Sequence, residues 1–188
     1  MPPFPAASVV NRIDGNLVTT GTVIPVTETA AEGAGTLTLT MRTHSLAVRL
    51  KDTIPWLVER KCGDAIVLEF FPDRLVAHLV ELKSTVGDRK FEDAVSQFRG
   101  AYHNALAIAG VLELTKPDEI RCHVAFKVDR VSPVGNASPS GLKTRLGRKP
   151  AANAVDWIAR RLTIDELQDI PFTWTHRGPD GNAAVEIA

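Results

Sequence analysis

The chain has 188 residues and 44% hydrophobic content, enough for one full core or for a core with a small appendage. Its 22 basic and 22 acidic side chains cancel, which counts against tight, nonspecific binding of nucleic acid through an overall basic surface. Two cysteines, Cys62 and Cys122, and scattered histidines give neither a zinc spacing nor a disulfide framework, and no apolar run is long enough to span a bilayer.

The first residues, MPPFPAASVV, lack the basic-plus-apolar pattern of a signal peptide, so the cytoplasm is the expected location. Val9 to Val26 predicts one or two strands around the turn signal Asp14-Gly15, and Thr27 to Gly35 reads as a small, polar loop. Thr36 to Met41 alternates Thr with Leu or Met as a half-buried strand does, and Leu46 to Leu50 alternates again with shifted phase. Residues 1–52 are therefore expected to form a β-rich extension that lengthens the sheet, covers an edge or makes a dimer contact. Ile54 to Arg60, with Pro55 in its first turn, predicts a short helix.

Gly63 to Lys83, GDAIVLEFFPDRLVAHLVELK, is two apolar strands around a Pro-Asp turn. With an even-numbered loop, Phe70 faces Leu75, and counting back along both strands sets Asp64 opposite Glu81. Cross-strand partners share a face, as do residues two apart on one strand, so Lys83 joins them. Asp73 lies at the turn tip, the far end of the hairpin from Glu81, and is rejected as a partner. Two carboxylates and an ammonium group at one end of an apolar hairpin suit a hard divalent cation. Mg²⁺ takes oxygen ligands, commonly only one or two protein carboxylates, with water and substrate phosphate in the remaining positions. Asp64 and Glu81 would hold Mg²⁺ or Mn²⁺, and Lys83 would orient a nucleophile or offset charge on a reacting phosphate. His78 falls on the opposite face and is expected to be structural; no serine-centred elbow, phosphate-binding glycine loop or dinucleotide fingerprint is found.

From Lys90 to Ala109 apolar residues recur at three/four spacing (Phe91, Ala94, Val95, Phe98, Ala101, Tyr102, Ala105, Ile108), which predicts a helix closed by Gly110. Glu119 to Val128 then reads as a strand.

Asp64, the Glu81-x-Lys83 triplet and the strand–strand–helix–strand order from about Asp64 to Val128 resemble the PD-(D/E)XK nuclease superfamily. The resemblance implies an α/β (α+β) fold with a restriction-endonuclease-like core: a central mixed sheet flanked by helices, over residues 53–131. It implies a metal-dependent nuclease acting on DNA, with RNA also open. The family's helix before the acidic strand often bears another carboxylate, which makes Glu59 a candidate auxiliary ligand. Several branches place Gln and Tyr on the helix after the Glu-x-Lys strand. Gln97 and Tyr102 stand there at a different spacing; Gln97 is a candidate to orient water or ligand, and Tyr102 is expected in the core.

Residues 132–150 are rich in Gly, Pro and Ser and hold Lys143, Arg145, Arg148 and Lys149 without an acid. They read as a flexible basic loop, either a solvated linker or a set of phosphate contacts. Ala151 to Leu162 predicts a helix, and Thr163 to Glu166 a capping box opening another short one, within a C-terminal segment 151–188. One compact domain is expected overall, and a homodimer suits a nuclease that cuts both strands of a duplex. Two other readings stand beside the nuclease: an inactive fold serving as a nucleic-acid-binding or assembly module, and a purely structural ion-pair cluster.

Overall fold

The computed structural model describes residues 4–5, 7–28, 34–50, 58–131 and 152–187. The chain is a mixed α/β protein built on eight strands. A short helix α1 (Ala7–Val10) and a 3₁₀ turn (Gly15–Leu17) lead into β1 (Val18–Glu28) and β2 (Gly35–Arg49). The hairpin β3 (Ala65–Phe70) and β4 (Leu75–Val86), the long helix α2 (Asp88–Val111) and β5 (Glu119–Asp129) follow. A helix α3 (Ala152–Ala159), β6 (Arg161–Ile164), β7 (Leu167–His176) and β8 (Ala183–Glu186) complete the order.

The strands lie side by side as β1-β2-β3-β4-β5-β7-β6, with β8 alongside β2. From β1 to β4 neighbours are antiparallel, β4/β5 and β5/β7 are parallel, and β6/β7 is antiparallel. Every residue of β3 and the first eight of β4 are buried, as expected for central strands covered on both faces. On one face, Ile66, Leu68, Ala77 and Leu79 meet the apolar stripe of α2 (Phe91, Ala94, Phe98, Ala101, Tyr102), and Trp157 of α3 extends this layer. On the other, Ala65, Val67, Val80 and Leu82 pack under Ile24, Val26, Leu37 and Leu39. The described helices therefore cover one face, while the outer halves of β1 and β2 fold over the second. Flanking helices were expected; a bent β-ribbon does half of that covering.

The bend explains the shifted phase around residues 41–46. The two expected strands are one, and the β1/β2 register slips between Gly21 and Val23, the mark of a bulge that turns the ribbon. Asp14-Gly15 makes the 3₁₀ turn rather than a hairpin tip, with Asp14 Oδ1 accepting from the Asn16 amide at 2.9 Å. α2 runs through Gly110 instead of ending there; the left-handed backbone comes later, at Glu113 (φ 57). α3 stops at Ala159, where Arg160 turns left-handed (φ 54), and Leu162 pairs with Ile170. The expected capping box opens no helix: Asp165 and Glu166 form the β6/β7 turn, and Asp165 (φ 51) accepts from Arg99 Nε and His103 Nε2, each at 3.0 Å. The predicted helix at Ile54–Arg60 lies partly outside the described residues, and 58–60 are not helical. The basic loop with Lys143, Arg145, Arg148 and Lys149 also lies outside them.

Candidate active site

The β3/β4 register runs from Phe70↔Leu75 to Ala65↔Val80, so the next pair outward is Asp64 and Glu81. The Asp64 amide donates to Val80 O at 2.8 Å and its carbonyl accepts from Leu50 N at 2.8 Å, which continues the ladder on both sides. Gly63, just ahead, is required by close approach: a Cβ there would lie 2.7 Å from the Val80 carbonyl. Asp64 Oδ2 accepts from the Leu82 amide at 2.6 Å. Glu81 is 2% exposed, and its Oε1 is in direct contact with Lys83 Nζ. Lys83 Nζ also donates to Gln97 Oε1 at 2.5 Å, and Gln97 Nε2 to Cys62 O at 3.4 Å. Glu81, Lys83 and Gln97 are thus linked at the end of the hairpin on the face that α2 covers, and Asp64, held by the Leu82 amide, is near enough for its charge to act on Glu81.

Glu59 is elsewhere. Its carboxylate is half-exposed, 3.8 Å from His103 Nδ1, and the Val58 and Glu59 amides donate to Asn104 Oδ1, so the segment is tied to a later turn of α2. The structure sets the Glu59 carboxylate beside His103 and does not bring it together with Asp64, Glu81 and Lys83 as an auxiliary ligand would be. Tyr102 is buried in the core.

Two charged groups at this site escaped sequence reasoning. Glu28, the last residue of β1, shares a side-chain hydrogen bond with Asp64. Arg177, fully buried just after β7, donates through Nη2 to Lys83 O at 2.6 Å and through Nη1 to Gly181 O at 3.3 Å. Neither sits in a motif. Glu28 reads as the start of a polar loop, and Arg177 belongs to a tail without periodicity.

Asp64 and Glu81, gathered in a dry place, are reluctant to ionise. Burial raises Asp64 to about 6, with Glu28 adding to the rise and the Leu82 amide and Lys83 opposing it. Burial raises Glu81 to about 8, with the Asp64 charge adding to the rise and Lys83 offsetting only part of it. Burial also lowers Arg177, which the nearby Asp64 and Glu28 partly restore.

The donor set fits a hard divalent ion. Glu81 Oε2 is buried without a hydrogen-bond partner among the described residues, Asp64 offers a second carboxylate, and the cluster carries excess acid. Among the described residues no three His, Cys, Asp or Glu side chains form a metal-holding group, so solvent and substrate oxygens would have to complete the shell, as Mg²⁺ usually permits.

The support under the site includes Gly100 on α2. A Cβ there would collide with the Lys61 carbonyl and lie 3.2 Å from Glu59 Cβ, so only glycine lets α2 approach the 59–62 segment that feeds Asp64. Gly100→Ala should destabilise the fold by about 1–3 kcal/mol despite alanine's better helix propensity, as urea unfolding will show.

Comparison with family models, with curated proteins and with solved structures finds no match for this chain.

Proposed function

We propose that this protein is a metal-dependent nuclease that hydrolyses phosphodiester bonds of DNA, with RNA as a further substrate class. The observation that carries the reading is the hairpin register. It collects Asp64, Glu81 and Lys83 at one end of the sheet and leaves Glu81 Oε2 buried without a hydrogen-bond partner among the described residues. The antiparallel run β2-β3-β4, followed by α2 and by β5 parallel to β4, supports a restriction-endonuclease-like core.

Asp64 and Glu81 would hold Mg²⁺ or Mn²⁺, which polarises a phosphoryl oxygen and lowers the pKa of bound water. Lys83, gripped by Glu81 and Gln97, keeps its ammonium fixed where charge grows on the phosphate, so little reorganisation accompanies the reaction. Gln97 ties Lys83 to the Cys62 carbonyl, and Arg177 fixes the Lys83 backbone. These two are positioning residues. Lys143, Arg145, Arg148 and Lys149 would supply phosphate contacts, and a homodimer in the cytoplasm would cut both strands of a duplex. None of the helices among the described residues is long and apolar enough to cross a membrane.

A second reading has one observation in its favour: Lys83 and Arg177 already place two cations at the acids. An inactive nuclease fold serving as a nucleic-acid-binding or assembly module would use them as structural counter-charges. The two readings part in a cleavage assay on single- and double-stranded DNA and RNA. The nuclease should cleave with Mg²⁺ or Mn²⁺ and stop with EDTA; binding without metal-dependent turnover would leave only the module.

A further inference from the structure

A stripe of polar side chains on α2 leads outward from the acid site. Arg89, Asp93 and Gln97 recur at every fourth residue, so they follow one another along one side of the helix. Gln97 is the inner end: it accepts from Lys83 Nζ at 2.5 Å and donates to the Cys62 carbonyl at 3.4 Å. One turn earlier, Asp93 Oδ1 accepts from Lys61 Nζ at 3.2 Å. Lys61 is fixed beside the helix, since its carbonyl lies against Gly100 too closely for any Cβ. Exposure rises along the same line. The Glu81 and Lys83 side chains are 3% and 17% exposed, those of Asp93 and Lys61 43% and 58%.

One acid thus sits among three cations. The Lys61 hydrogen bond, with the charges of Lys61, Lys83 and Arg89, holds the Asp93 carboxyl below its ordinary value. Arg89 is exposed and makes no ion pair among the described residues, and Lys61 makes none there besides Asp93. An exposed pair such as Lys61–Asp93 contributes little to stability and opens readily. A phosphodiester carries one negative charge on two free oxygens, as a carboxylate does, and can take the place of Asp93 between the same cations.

We propose that Asp93 stands where a phosphate of the substrate strand binds, and that Lys61 and Arg89 grip that strand on the solvent side of Lys83. The incoming phosphodiester displaces the Asp93 carboxylate from Lys61, which makes Asp93 a built-in competitor of the substrate. The proposal rests on the nuclease reading for its substrate class and gives that site a surface from which a strand reaches Lys83.

DNA binding by the full chain in EDTA tests this apart from cleavage. The probe is a short fluorescein-labelled DNA, single- and double-stranded, followed by anisotropy. Asp93→Asn should bind roughly two- to fivefold more tightly, because the competing charge of an exposed pair is gone. Lys61→Met should weaken binding and flatten its log–log salt dependence by about 0.9 on duplex and about 0.7 on single strands, the share of one phosphate contact. Lys61→Arg should keep the wild-type slope. Most of the gain from Asp93→Asn should vanish in the Lys61→Met background, a coupling that a general change of surface charge does not produce. No binding by the wild type, no tightening in Asp93→Asn, an unchanged salt slope in Lys61→Met, or effects that simply add would each overturn the proposal. The nuclease reading fails separately: Lys61-dependent binding by a protein that does not cleave with Mg²⁺ or Mn²⁺ keeps the contact and discards the nuclease.

Discussion

Glu81→Ala should abolish metal-dependent cleavage, and Lys83→Ala should reduce it by roughly 10²–10³-fold, the usual cost of losing one fixed charge-stabilising group. Glu81 would supply the metal's buried ligand, whereas Lys83 would act on the phosphate after the ion is held. The two losses should therefore differ in kind. Raising the Mn²⁺ concentration should recover nothing in Lys83→Ala, because Asp64 and Glu81 remain. Gln97→Ala should give a smaller loss, since Lys83 keeps its pairing with Glu81 when the 2.5 Å contact to Gln97 is removed. Steady-state cleavage by folded variants, checked by circular dichroism, measures all three. Unchanged cleavage in both Glu81→Ala and Lys83→Ala would refute the catalytic assignment.

The parts of this site legible in the sequence were those fixed by short-range geometry. A hairpin with an even-numbered loop has its register set by the turn, so Phe70↔Leu75 determines the Asp64/Glu81 relation along the whole hairpin. The i, i+2 rule then places Lys83, and the helical stripe brings Gln97 over it. Glu28 and Arg177 arrive through long-range topology instead: a bulged ribbon folded across the sheet and a turn after a parallel strand. No local pattern encodes either. The capping box failed for a related reason. Thr163 to Glu166 is compatible with a helix start, but Leu162 and Ile164 alternate as buried residues of β6, and pairing with β7 prevails over local propensity. The phase shift between Met41 and Leu46 marks an irregularity within one strand, opposite the register slip between Gly21 and Val23, and alternation alone does not distinguish that from two strands.

The same acid cluster should make the metal-free protein lose stability as pH rises. The folded state holds the protons of Asp64 (3.8 raised to about 6) and Glu81 (4.5 raised to about 8) at pH values where the unfolded chain has released them. Their stabilising contribution is complete below the ordinary carboxylate range and is lost as pH rises through the folded values. His78 and His123 act in the opposite sense. Both are lowered from 6.5, so their contribution is lost as pH falls below 6.5, and the two effects oppose each other on the acid side. Between pH 6.5 and about 8 Glu81 dominates, and the loss should be on the order of 1 kcal/mol per pH unit. Thermal unfolding in EDTA should show Tm falling across that window, and Glu81→Gln should flatten the slope. Mn²⁺ should raise Tm more at pH 8 than at 6.5, because an ion that binds the ionised carboxylates offsets the charge that burial disfavours. A Tm that is flat in the wild type, or a slope that persists in Glu81→Gln, would show that Glu81 does not hold its proton in this cluster. A slope that Glu81→Gln abolishes but Mn²⁺ leaves untouched would keep the buried acid and discard the ion, separating the electrostatics of the site from its proposed chemistry.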